Sequence, residues 1–292
     1  MTIDRTLKLF EFEIPRDKFL QAPLQERVFF LQSLRIANEI SSLEKAILAS
    51  VSPQNLLNSS SPETSGQVIQ TAFYIRLLAG ILRESYRWIE VMFEGKPPAQ
   101  RSYHFKLFNW NLNIWKDGAK KIASLNPVNL RPSVIPLLSK EAVDSLGAIC
   151  QYFSRENQIN KIRNKFGFHY DPDITIQSES LIAAIADPHI YLEEAVGNSL
   201  YTFAGQLTVL QMIKTLGGNP YEEISVKKIW EKMLDDVQVY ARHMQRFYVG
   251  YALVFTNKHL NLNINDSKHH ILQNVKFSGE VVLPFFTKNE VT

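Results

Sequence analysis

The sequence predicts an all-α fold, a multi-helix bundle followed by a short C-terminal β-hairpin or meander. Three observations carry that reading. Apolar residues recur at three- and four-residue steps over several long stretches, Pro-, Gly- and Ser-rich breaks separate them, and only the stretch 258–292 alternates as strands do. The expected organisation is a helical bundle over 1–257 and a β-rich segment over 258–292.

After a short extended lead (Leu7, Phe10, Phe12, Ile14), a first helix is expected from about Pro23 to Ser50, with Val28, Leu31, Leu34, Ile40, Leu43 and Ile47 on its apolar face. Ser52-Pro53 through Ser61-Pro62 reads as an exposed loop. From about Gly66 to Phe93 a second helix places Val68, Ala72, Ile75, Ala79, Leu82, Tyr86, Ile89 and Phe93 on one face, and Gly95-Lys96-Pro97-Pro98 stops it. Between Tyr103 and Leu125, the recurrence of Phe108, Leu112, Trp115, Ala119 and Ile122 favours a helix over a strand.

Pro127, Pro132 and Pro136 then interrupt the pattern. A helix starting near Ser139, with Glu141 in its first turn, should carry Val143, Leu146, Ile149, Cys150, Phe153 and Ile159 towards Arg163. Two further helices, about Pro188 to Leu216 and Ser225 to Phe255, flank the turn Gly217-Gly218-Asn219-Pro220. Asp187-Pro188 with Glu193-Glu194 reads as a helix start. In the tail, Leu260, Leu262 and Ile264 alternate, and Ile271–Phe277 and Val281–Phe286 are strand-like around Ser278-Gly279.

The formal charge of +3 on 292 residues is mildly basic, so affinity for a polyanion has to come from a local patch. A single cysteine, Cys150, excludes an internal disulfide or a Cys-based zinc cage and suits small apolar filler on a helix. The first twelve residues lack the hydrophobic run of an export signal, and no window reaches transmembrane length. A cytoplasmic protein with no membrane partner is therefore expected. P-loop, dinucleotide-binding and Gly-x-Ser-x-Gly patterns are missing, so the common nucleotide and hydrolase sites have no support. His259, Asp266, His269 and His270 do not amount to a metal site, because adjacent histidines on a strand point to opposite faces. No metal or cofactor is expected.

The chemistry concentrates in Arg163-Asn164-Lys165-Phe166-Gly167-Phe168-His169, followed by Tyr170-Asp171-Pro172. A permanent guanidinium can hold a phosphate through two parallel hydrogen bonds, and an imidazole titrating near neutrality can move protons without a metal. On an unbroken helix the two side chains would point about 120° apart, about 9 Å along the axis. Gly167 offers a left-handed helix end and Asp171-Pro172 discourages continuation, so His169 is expected to fold back beside Arg163. Both side chains are expected to be largely exposed in a cleft.

Arg163-Asn164 and His169, with five residues between Arg and His and a polar residue directly after the Arg, resemble the signature of the HEPN superfamily. The resemblance implies an all-helical bundle, metal-independent RNase chemistry in many members, and a homodimer whose two motifs face each other. In that scheme His169 serves as general base or acid, Arg163 stabilises the phosphorane, and Asn164 orients His169 or holds a phosphate oxygen. One departure is that Tyr170 is adjacent to His169, where some toxin members carry His-x-Tyr, so their partner nucleotidyltransferase is not implied.

A weaker signal for an RNA partner lies on the second helix, where Arg76, Arg83 and Arg87 fall within about 40° of one another over about 16 Å. Lys165 adds a cation beside the motif, whereas Glu84 and Glu90 neutralise part of the stripe. Tyr103, Trp110 and Trp115 can stack on bases, although their helical spacing fits core packing better. The competing reading is a non-catalytic helical interaction protein. In it Arg163 and Lys165 form a solvated basic helix end, Phe166 and Phe168 pack, and His169 bonds a loop carbonyl.

Overall fold

A computed structural model describes residues 7–11, 13–50, 62–93, 129–167, 179–185, 202–262 and 268–272. The elements are β1 (Leu7–Glu11), α1 (Arg16–Gln21), α2 (Leu24–Ser50), α3 (Pro62–Phe93), α4 (Arg131–Val134), a 3₁₀ turn (Ile135–Leu137), α5 (Lys140–Phe153) and α6 (Gln158–Ile162). A first π turn (Arg163–Gly167), α7 (Glu179–Ile182), α8 (Thr202–Thr215), α9 (Glu223–Phe255), a second π turn (Thr256–Leu260) and β2 (Lys268–Leu272) follow. The described residues are mostly helical, as expected of an all-α chain. The expected helix over 103–125 and the helix start at Asp187-Pro188 lie outside the described residues.

α2, α3 and α9 pack mutually, α5 lies along α9, and α8 lies on α3. Every residue of the expected α3 face, from Val68 to Phe93, is buried. On α2 the buried stripe is rotated from the expected one. Phe29, Phe30, Ile40 and Ile47 point inwards, while Leu31 is 54% exposed and Leu34 is also exposed. The aromatics decide this orientation: Phe29 meets Tyr251 edge-on at 4.6 Å and Phe93 at 5.2 Å, filling the space where the three long helices cross. Two buried tyrosines find acceptors on neighbouring backbones. Tyr248 Oη donates to the Ser85 carbonyl at 3.2 Å, and Tyr251 Oη to the Glu26 carbonyl at 3.0 Å.

Glu26 faces the second π turn while Glu44 meets Gln245 at 2.8 Å, so α2 and α9 run antiparallel. α5 also runs antiparallel to α9, and the two approach closely where Gly250 faces Ala142. A Cβ built on Gly250 would lie 2.6 Å from Ala142 Cβ.

The structure corrects the sequence reading between Ser139 and Arg163. Ser139 caps α5 as expected, its Oγ accepting from the Ala142 N–H at 3.3 Å. The helix does not continue through Ile159, however; it stops at Phe153 and restarts as α6. Asn157 makes the break. Its Oδ1 accepts from the Asn160 N–H at 2.8 Å, and its Nδ2 donates to the carbonyls of Tyr152 and Arg155. Pro132 and Pro136, read as interruptions, sit in the first turns of α4 and the 3₁₀ turn, where a missing N–H costs nothing. The turn at Gly217 is as expected, with φ of 89° and the Gly218 N–H closing on the Ile213 carbonyl at 2.9 Å.

The strand expectation is also revised. Leu260 belongs to the second π turn and is buried in the core, with Asn261 in a left-handed conformation after it. β2 covers Lys268–Leu272, and its described partner is the N-terminal strand: Leu7 pairs with Leu272, Leu9 with His270 and Glu11 with Lys268 in antiparallel register. The residues beyond 272, where a local hairpin was expected, lie outside the described residues. The expected boundary at 257/258 falls within the second π turn, and Lys258 and His259 both bond Glu26 of α2.

Candidate functional site

α6 and the first π turn are held on the bundle by Ile159, Ile162 and Phe166, all buried. Apolar residues three and four apart thus pin one face of this short segment, leaving Asn164 and Lys165 exposed on the other. Arg163 opens the π turn. Its Nη2 donates to Glu84 Oε1 of α3 at 2.9 Å, and its Nη1 donates to Asn164 Oδ1 at 3.1 Å. The Arg163 and Glu84 side chains are 17% and 18% exposed, so the guanidinium is far less open than the expected cleft required. Burial of Phe166 draws the turn inwards and carries Arg163 against α3. Gly167 is the last residue of the turn, and His169 lies outside the described residues, so its expected return beside Arg163 has no geometry here. The segment at Tyr103, Trp110 and Trp115 lies outside them too.

The basic stripe of α3 is only partly open to solvent. Arg76, Arg83 and Arg87 are all half-buried. The Arg83 guanidinium lies over the Tyr86 ring, 5.3 Å from its centroid, and that of Arg76 over Phe73 at 5.8 Å. Burial, then the charge of Arg87, pull the Arg83 pKa below the ordinary arginine value. α3 packs directly against α6 and the first π turn. The stripe and the Arg163 motif, two separate features of the sequence, therefore belong to contacting elements, and Glu84 joins them. Sequence reasoning placed Glu84 as a partial neutraliser of the stripe and missed its pairing with Arg163; nothing in the pattern marks a partner 79 positions away.

Matching of polar groups is incomplete along this contact. Among the described residues, Arg83 Nη1 and Arg163 Nε are buried donors that meet no acceptor, and Gln158 Oε1 and Asn160 Oδ1 are buried acceptors that meet no donor.

Three other polar groupings lie at helix contacts. Glu26 accepts from Lys258 Nζ at 2.9 Å and pairs with His259 Nε2 at 2.7 Å. Burial pushes the Glu26 carboxyl up, but the hydrogen bonds from His259 and Lys258 prevail and the net displacement is downward. Tyr152 Oη donates to Asp236 Oδ2 at 3.1 Å and its ring stacks on Tyr240 at 3.6 Å; burial raises Asp236 above the usual carboxylate range. His243 Nδ1 lies 3.3 Å from Ser145 Oγ. This pair resembles half of a nucleophile arrangement, yet Ser145 is 2% exposed in the middle of α5, where no substrate carbonyl can reach it. Burial and the nearby Arg246 and Arg242 lower the His243 pKa and favour its neutral form. These groupings tie helices together.

In comparisons with known proteins, no family model, no curated protein and no solved structure matches the chain.

Proposed function

We propose that the chain is a metal-independent endoribonuclease of HEPN type, working in a stress, toxin–antitoxin or antiphage setting. The observation that supports this reading best is the convergence of the Arg163-Asn164 turn with the α3 arginines, joined by the 2.9 Å contact from Arg163 to Glu84. Arg83, Arg87 and Lys165, with Arg76 further along α3, form the track for the RNA backbone. Arg163 stabilises the charge that grows on the phosphorane, Asn164 orients His169 or holds a phosphate oxygen, and His169 takes the proton from the ribose 2′-hydroxyl or gives one to the leaving 5′-oxygen. One imidazole per chain serves one proton transfer, so two chains acting as a homodimer supply both.

A second reading has a specific observation in its favour. Arg163 is engaged within its own chain and mostly shielded, as befits a structural ion pair in a non-catalytic helical interaction protein. Incubation of single-stranded RNA with the full chain in excess EDTA separates the two. Cleavage leaving 2′,3′-cyclic phosphate ends supports the enzyme; intact RNA supports the interaction protein.

A further inference from the structure

Glu84 lies outside the Arg163–His169 segment, yet its carboxylate bears on where two residues of that segment stand. The Arg163 guanidinium is a rigid plane, and each Nη carries two N–H groups. Nη2 donates to Glu84 Oε1 at 2.9 Å and Nη1 to Asn164 Oδ1 at 3.1 Å, so one N–H of each nitrogen is used and the other is left.

The two anchors of that plane are unequal. Asn164 is exposed and adjacent in sequence, so its bond to Nη1 competes with water. Glu84 is 18% exposed and stands on α3 among the buried Leu82, Ser85 and Tyr86, on a helix fixed by the core. The guanidinium thus takes its position from α3, a rigid element, through one carboxylate oxygen. Asn164 follows from Arg163. A guanidinium only donates, so the amide atom that meets Nη1 has to be Oδ1, and Nδ2 is turned away from Arg163 at an exposed position.

We propose that Glu84 is a positioning residue for RNA cleavage: its Oε1 fixes the Arg163 guanidinium, and Arg163 fixes the Asn164 amide, so that the remaining Nη N–H groups and Nδ2 are set for phosphate oxygens before RNA arrives. Donors fixed in advance stabilise developing charge without reorganising during the reaction. The inference rests on the endoribonuclease reading.

Positioning needs an oxygen in one place, whereas a structural ion pair needs a charge. Glu84→Gln removes the charge and keeps an oxygen at the same reach; Glu84→Asp keeps the charge and withdraws the oxygen by one methylene. Single-turnover cleavage of single-stranded RNA by the full chain, saturating and in excess EDTA, is measured with melting followed in parallel. Glu84→Gln is expected to cleave within about 3-fold of wild type despite the lower Tm, and Glu84→Asp about 10-fold slower despite the higher Tm of the two. Rate and stability then fall in opposite orders. In an Arg163→Lys background, which has no plane to orient, Glu84→Asp should slow cleavage by less than about 2-fold further. An Asp variant as fast as wild type, a Gln variant slower than the Asp variant, or an undiminished Asp effect with Arg163→Lys overturns the positioning role, and wild-type cleavage then leaves the nuclease reading standing. Should Glu84→Gln not fold, Glu84→Asp in the two backgrounds decides. If the wild-type chain cuts no RNA, the nuclease reading falls and the positioning role falls with it.

Discussion

Glu84 and Arg163 meet at 2.9 Å across 79 positions of sequence, and their contact fastens the first π turn to α3. Each side chain is less than a fifth exposed, so the pair is shielded from the screening that weakens surface ion pairs. Removing one partner leaves the other charge poorly solvated.

Arg163→Ala is accordingly expected to destabilise the fold by about 1–3 kcal/mol. The double change Arg163→Ala with Glu84→Gln should recover part of that loss, since no charge is then stranded. Urea unfolding of the four chains gives the coupling directly. Strictly additive effects would mean that the pair does not interact in solution.

Two carboxylates should respond to pH in opposite directions. The native Glu26 pKa is depressed, so its contribution is present above the unfolded value of about 4.3 and is lost as pH falls through the native one. Glu26→Gln should lower Tm at pH 7, with the deficit shrinking in acid. Asp236 is raised, so the native state binds the extra proton, and stability declines as pH rises from about 3.9 through the raised value. Asp236→Asn keeps an acceptor for Tyr152 and should raise Tm at pH 7 but not at pH 3.5. Calorimetry across pH 3–8 measures both.

Gly250 marks a close approach of α5 and α9. Ala142 Cβ has no rotamer by which to retreat from a new methyl 2.6 Å away, so Gly250→Ala should force the helices apart. A loss of about 1–3 kcal/mol is expected, despite the better helix propensity of alanine. A neutral or stabilised variant would show that the two helices separate freely there.

The parts of the fold legible in the sequence are those set by local periodicity. α3 is the clearest case: a long run at period 3.6 fixes one buried face from Val68 to Phe93. α2 is less clear because it carries apolar residues on both sides. Leu31 is exposed, and Phe29, whose aromatic contacts choose the inward face, gives no signal of that choice. Asn157 caps α6, but the apolar spacing from Phe153 to Ile159 hides the break it makes. Pairing of Leu7 with Leu272 depends on chain ends brought together by the whole bundle. At the candidate site, the Arg163 turn and the α3 stripe were each visible. Their contact and the role of Glu84 in it were not, because charge partners across a bundle leave no local pattern.

Association should govern activity if two imidazoles share the work. Mixing wild-type chains with an excess of His169→Ala chains should lower activity well below the wild-type fraction, with a dimer visible in sedimentation. Activity proportional to the wild-type chains would mean that each chain acts alone.

The central claim is that the segment from Arg163 to His169 cuts RNA. Its most direct test is the single-turnover cleavage rate of His169→Ala in excess EDTA, with melting followed in parallel. A fall of about 10²-fold or more at unchanged Tm is predicted; a folded variant that cleaves at the wild-type rate would contradict the account.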